Sequence, residues 1–300
     1  LLISNRFFRA FGTFGQPNPF GGFMGLIAPL ALGSAWGYTI ITWGYWRDQR
    51  TFDRNSLLLA GLYSVCGILM SGALIASWSR GAWLSFAASV IVLGIALPRK
   101  RWQSALIGAG IVTASLTAWG LGFVPTSVVD RVNTVTQEVF AFNDVRAVDI
   151  TSENFAVVER LAHWQAALNM ATDYPWLGVG LGNYEIAYDS YRLLNWTEPL
   201  GHAHNYYLNI LAEGGIIGAI VYIVMWAGIL RFTLRARKNP DPVLHAVSAG
   251  LLATWSYLLI HSLTDNLYVN NIFLHIGIML GLLAMIERQT WHYQRMESLV

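Results

Sequence analysis

Two histidines, His202 and His204, stand two residues apart in GHAHNYYLNILAEGGIIG, a segment that opens a long apolar run. An imidazole exchanges protons near neutral pH, so His204 at such a boundary suits a general base. The H-x-H spacing also suggests a metal pair, but no H-E-x-x-H pattern and no third ligand accompanies it, so no metal and no cofactor is expected. Asn205 follows directly, and Glu213 lies about two turns into the same run, where a carboxylate needs a partner or a watery cavity. Arg80 sits in WSRGAW between two uncharged runs. It reads either as an arginine snorkelling to headgroups between Trp78 and Trp83 or as an anion clamp, since a guanidinium pairs its hydrogen bonds onto phosphate oxygens. Arg160 shares a helix face with Trp164; taken alone, it reads as a partner of Glu159 or Asp173 or as a solvated charge. His261 and Asp265, spaced i and i+4, could pair with each other or serve a site. The glycines at 178, 180 and 182 in PWLGVGLGNY resemble a phosphate cradle only loosely and favour a plain turn.

The elements that must position these groups are helices in a membrane. The 300 residues are 55% hydrophobic and 12% charged, about half the charge usual for a soluble chain. The net charge of +2 without a large basic cluster excludes nucleic acid as a partner. A lone cysteine, Cys66, inside an apolar run excludes a disulfide framework and a Cys-based metal site within the chain. Seven stretches reach the roughly 20 apolar residues that a spanning helix needs. They run about Phe20–Trp46, Leu57–Trp78, Ser79–Leu97, Ser104–Val124, Tyr206–Leu230, Val243–Leu263 and Leu267–Ile286. The first contains Pro29, where a kink is expected, and the last is strongly apolar only from Ile272. An all-α polytopic fold follows, with residues 1–124 holding four spans, 125–205 a large loop, and 206–300 three spans and a tail.

Alternating the spans collects twelve of the nineteen Lys/Arg and only five of the seventeen acids on one side. That side is cytoplasmic by the positive-inside rule, and the loop is then extracytoplasmic. About 80 residues between spans is long enough to be functional. Its first part, Ser127–Ser152, is polar without a clean period. From Asn154 to Thr172, apolar Val157, Leu161, Trp164, Leu168 and Ala171 recur at helical spacing and predict an amphipathic helix on the membrane surface or the bundle. The chain begins at Leu1 without Met or a signal peptide, which predicts further spans upstream.

In this order, the segments resemble the O-antigen ligase and O-antigen polymerase family of bacterial envelope glycan assembly. The resemblance rests on FGTFGQPNPFGG, WSRGAWLSF, ERLAHWQAALNMATDYPWLGVGLGNY, and an H-N motif followed by Gly215 and Gly218. It covers essentially the whole chain, which corresponds to about the C-terminal two-thirds of a typical member. It implies a helical bundle related to the C-type lipid-dependent glycosyltransferases. It also implies a donor glycan on undecaprenyl pyrophosphate, a lipid or glycan acceptor, surrounding membrane lipids, and a site facing outward from the bacterial inner membrane. By position, Arg80 and Arg160 match the arginines that hold the pyrophosphate, and His204 matches the histidine that activates the acceptor. Asn205, Glu213, His261 and Asp265 are possible supporting residues. Ligase and polymerase are not separated by any motif here. The alternative from another class is a carrier of a small anion such as bicarbonate, since intramembrane His, Glu and Asp serve carriers too. A carrier needs no large outer loop bearing Arg and His, and it should place its site between repeats that the sequence does not show.

Topology is directly testable. Cysteines placed at Ser127 and Asn195 are expected to react with an impermeant maleimide in intact spheroplasts, and one at Gln103 is not. The reverse pattern would invert the orientation.

Overall fold

The computed structural model describes residues 2–3, 7–122, 145–147, 150 and 155–298. Most of the polar part of the loop, Ser127–Ser152, lies outside the described residues. A minimal antiparallel pair, β1 (Leu2–Ile3) with β2 (Phe7–Phe8), precedes nine α-helices among the described residues. They are α1 (Pro17–Gln49), α2 (Arg54–Ala76), α3 (Arg80–Ala96), α4 (Arg101–Gly120), α5 (Phe155–Asp173), α6 (Tyr184–Tyr191), α7 (Tyr206–Ala236), α8 (Pro242–His261) and α9 (Ile272–Glu297). Local chemistry sets the starts. Pro17 opens α1, where a missing N–H costs nothing. Asp53 caps α2 by accepting from Ser56 N–H at 2.9 Å, and Asp241 caps α8 by accepting from Val243 and Leu244 N–H at 2.8 and 2.9 Å.

Five helices, α1, α2, α7, α8 and α9, are long and apolar enough to cross a membrane. The other two expected spans differ. Ser79 and Arg80 start α3 so late that only 17 residues remain, about 26 Å of helix against a hydrocarbon layer of roughly 30 Å. The small and hydroxyl residues of α4 dilute its apolar character, and none of its residues is buried. α9 starts only at Ile272, because Asn270 and Asn271 both take left-handed backbone, at φ 51° and 61°. On α2, Leu58, Leu62, Ile68 and Leu69 are each more than half exposed, an outward apolar face that lipid accommodates. The chain is an all-α polytopic membrane protein.

It divides into two compact units. The first holds residues 1–113, 227–261 and 267–300. Here α1 runs unbroken through Pro29 and packs on α2, α3 and α8. Small residues let α1 and α8 approach closely: a Cβ added to Gly33 would stand 2.7 Å from the Ala246 carbonyl. Buried hydroxyls tie the same pair, Thr254 donating to Leu26 O at 3.1 Å and Tyr257 to Gly21 O at 3.2 Å.

The second unit holds residues 114–226 and 262–266. Its α5 confirms a helix across the expected segment, but the buried stripe lies one residue over from the one the large side chains suggest. Val158, Ala162, His163, Ala166, Ala167 and Met170 are buried, while Val157, Leu161, Trp164 and Leu168 are only partly so. Alanines win the inner face because the rings of Tyr184 and Tyr188, both fully buried, pack against it.

The α7 helix breaks at Gly215, whose φ of 60° and ψ of −162° belong to a region open only to glycine. The break frees the pairs that would join residues 216 and 217 to 212 and 213. The glycine turn replaces them: Val179 N–H donates to Ala212 O (2.9 Å), Gly180 N–H to Glu213 O (3.0 Å), Ile216 N–H to Pro175 O (2.8 Å) and Ile217 N–H to Trp176 O (3.3 Å). These turn amides are therefore spent on the helix rather than on a phosphate. Cβ atoms would drive Gly178 into the Glu213 backbone and Gly215 into the Trp176 carbonyl.

Gly215→Ala is therefore expected to destabilise the protein by about 2 kcal/mol or more, combining strain and collision. A thermal melt in detergent checks this, with Gly44→Ala, which has open space around it, as the neutral control. Equal melting temperatures for the two variants would show that the break needs no glycine.

Candidate active site

The turn from Leu200 to Asn205 is wound by three left-handed residues: Leu200, Gly201 and His204, at φ 52°, 74° and 53°. At His204 this conformation costs on the order of 1 kcal/mol, and a set of hydrogen bonds holds it. Ala203 N–H donates to Asn209 Oδ1 (3.0 Å), His204 N–H to His202 Nδ1 (3.0 Å), and Tyr206 N–H to Ser262 O (2.8 Å). Asn205 Oδ1 accepts from Tyr207 N–H (3.0 Å) and Leu208 N–H (3.1 Å), so the asparagine of the H-N pair is the N-cap of α7.

His204 Nδ1 lies 3.5 Å from Asp265 Oδ1, and neither ring nitrogen has a hydrogen-bond partner among the described residues. The ring meets the edges of two other imidazoles, His202 at 4.5 Å and His163 at 5.6 Å between centroids. Burial drives the His202 pKa down to about 4. The charges of His204 and Arg160 push the same way, and that of Asp265 opposes them. His163, 1% exposed, is driven to about 3, again chiefly by burial. Both are neutral at pH 7. His163 stacks on Tyr188 at 4.8 Å, and its Nδ1 stands 3.0 Å from Tyr184 Oη, which donates in turn to His163 O at 3.2 Å. Its Nδ1 therefore carries the proton. Tyr184 N–H donates to Glu213 Oε1 at 3.1 Å, so Glu213 caps α6.

Of the residues singled out in the sequence, the second unit gathers His202, His204, Asn205 and Asp265, with Arg160 near enough to act on His202. Arg160 forms no ion pair among the described residues; Asp173 instead accepts from Tyr191 Oη at 2.9 Å. Arg80 and His261 belong to the first unit. Arg80 is half-buried at the first position of α3, after Ser79 and beside the ring pair Trp78–Trp83 at 5.3 Å. Arg9 steadies the preceding turn by donating to Ser77 O at 2.9 Å and to Asn18 Oδ1 at 2.9 Å. His261 ends α8 with its ring stacked on Tyr257 at 5.5 Å, and Asp265 follows after that helix has ended. His163, Tyr184, Asn209 and Arg9 escaped the sequence reading. His163 had one available signal, a histidine three residues from Arg160 on a helix.

Asp265 also supplies the third ligand that the sequence lacked: one donor atom each from His202, His204 and Asp265 lies within 4.8 Å of the others. The donor set does not fit a metal well. His202 Nδ1 already accepts the His204 amide, so the neutral ring carries its proton on Nε2 and has no lone pair left to give.

Among known proteins, the chain is 27% identical over 261 residues to the O-antigen ligase of Pseudomonas aeruginosa, covering 86% of this chain and 53% of that protein. The chain thus spans about half the length of this curated relative. The sequence model described as O-antigen ligase matches residues 65–223, more than half of the chain, from α2 through the histidine turn to beyond the helix break, and the chain accordingly belongs to the O-antigen ligase family.

Proposed function

We propose that the protein is a membrane glycosyltransferase that moves a glycan from undecaprenyl pyrophosphate to an acceptor hydroxyl on the outer side of the bacterial inner membrane. The observation that carries this is the His204–Asp265 arrangement. A carboxylate beside Nδ1 orients the imidazole, which leaves Nε2 to take a proton. A hydroxyl is a weak nucleophile until such a base withdraws its proton during attack. Its oxygen then bonds to the anomeric carbon as the bond to pyrophosphate breaks on the opposite face, inverting that centre. The electron pair leaves with the pyrophosphate, and the proton stays on His204 until released to solvent or product.

Arg80 and Arg160 are the groups proposed to neutralise the pyrophosphate in place of a metal. Arg80 supports this by its position: a cation at a helix start opposes the macrodipole, and an anion relieves both. Family membership favours glycan transfer over a small-anion carrier. Transfer to a lipid acceptor, as in a ligase, is proposed first, and extension of a repeat chain is its alternative. Deleting the gene in its native cell separates them: unligated long chains mark a ligase, single repeats a polymerase, and unchanged glycan with altered ion uptake a carrier.

His204→Ala is expected to lose roughly 10² to 10⁴-fold in turnover with donor still bound. His202→Ala is expected to lose only about five- to tenfold, the worth of one hydrogen bond to the His204 amide. Activity should survive EDTA. Loss in chelator with recovery on zinc or magnesium, or a His202 variant as dead as the His204 variant, would replace the base by a metal pair.

Arg80→Ala and Arg160→Ala should each abolish transfer at normal protein level and insertion. Lysine should restore little, because an ammonium lacks the planar fork. Full activity in Arg80→Ala would reduce that residue to an interfacial anchor.

A further inference from the structure

The first unit carries a second feature, unrelated to the histidine turn. Where α7 ends, Arg231, Arg235 and Lys238 follow one another at intervals of four and three on one face and line a groove of about 600 Å³ together with Gln294 of α9. Farther along the groove the lining turns apolar, with Ala227, Leu230 and the half-exposed Leu234. Its walls are fixed. Arg235 Nη2 meets Glu287 Oε1 at 3.1 Å, and Asn239 Nδ2, in the turn after α7, donates to Thr290 Oγ1 of α9 at 2.9 Å in a buried bond.

The charge in the groove is unbalanced. Glu287 is spent on Arg235, the lining contains no carboxylate, and Arg231 and Lys238 form no ion pair among the described residues. Nearby, Arg99 and Arg237 add positive charge while bonded only to backbone carbonyls, Arg99 to those of Asn239 and Pro240 and Arg237 to that of Pro98. Exposed Trp291 and Tyr293 on α9 mark this end as the level of a membrane–water interface.

We propose that this groove is a binding site for an acidic phospholipid: the phosphodiester sits between Arg231 and Lys238, Gln294 donates to the glycerol or head oxygens, and an acyl chain runs along Leu234, Leu230 and Ala227. The apolar stretch selects an amphiphile over a free anion. A head with its own ammonium would meet two uncompensated cations, so the uncharged head of phosphatidylglycerol fits better than ethanolamine.

The full chain, purified in detergent and offered equimolar phosphatidylglycerol and phosphatidylethanolamine, is expected to retain phosphatidylglycerol selectively in native mass spectrometry. Arg231→Gln with Lys238→Gln should cut that preference by roughly 25-fold, about fivefold per cation, while Arg231→Lys with Lys238→Arg keeps it. If the double variant does not fold, Lys238→Gln alone should show the fivefold loss. Equal retention of the two lipids by the unmodified chain, or an unchanged preference in the glutamine variants, would overturn the site. Displacement of the lipid by millimolar inorganic phosphate would overturn it too, by making it a free-anion site.

Discussion

A helix that stops and restarts inside an apolar run leaves two donors and two acceptors bare, and in a membrane such groups cost several kcal/mol each unless other backbone takes them. At Gly215 the chain meets this constraint with the segment from Pro175 to Gly180, which bonds all four groups. The consequences spread from there. The turn fixes where α5 ends and α6 begins, and Glu213, one residue past Ala212, turns its carboxylate onto the first amide of α6. Tyr184 is thereby set with its ring beneath α5 and its hydroxyl against His163. His163 in turn stands edge-on to His204, so the proposed base rests on a wall built back to the helix break.

What could be read from the sequence followed the range of the forces involved. Helix starts at Pro17, Asp53 and Asn205 are local matters of a cap and its next amides, and they stand close to where the pattern places them. The late start of α9 is local too, and the asparagines at 270 and 271 were visible, but their left-handed backbone was not. The buried face of α5 was misread because large side chains were taken as the inner ones. Tyrosine rings brought in from α6 made alanine the better fit, and residues so far downstream leave no trace in a helical period. Asp265 shows the same limit. Its partner His204 lies some sixty residues earlier, a distance along the chain that no local spacing reveals.

The glycine run illustrates how chemistry on one scale imitates chemistry on another. Successive turn amides around glycine are what a phosphate cradle uses, and they are also what a broken helix needs. The choice is decided by who holds the amides. Here Val179 and Gly180 are committed to helix carbonyls and Asn183 N–H to Gly180 O, so the turn supports structure.

Three imidazoles in contact would repel one another if charged, and burial resolves this by holding His163 and His202 neutral well below physiological pH. Their hydrogen bonds then fix their tautomers, Nδ1–H for His163 through Tyr184 and Nε2–H for His202 through the His204 amide. His204 differs because its nitrogens are not spent: Nδ1 faces the Asp265 carboxylate, and neither nitrogen has a hydrogen-bond partner among the described residues. The same logic applies to the cations. Arg80 stands at a helix start, where the dipole disfavours it, and Arg160 lies beside histidines that burial keeps uncharged. For Arg160 the neutral state of its neighbours matters, because an uncharged imidazole leaves a nearby guanidinium unrepelled.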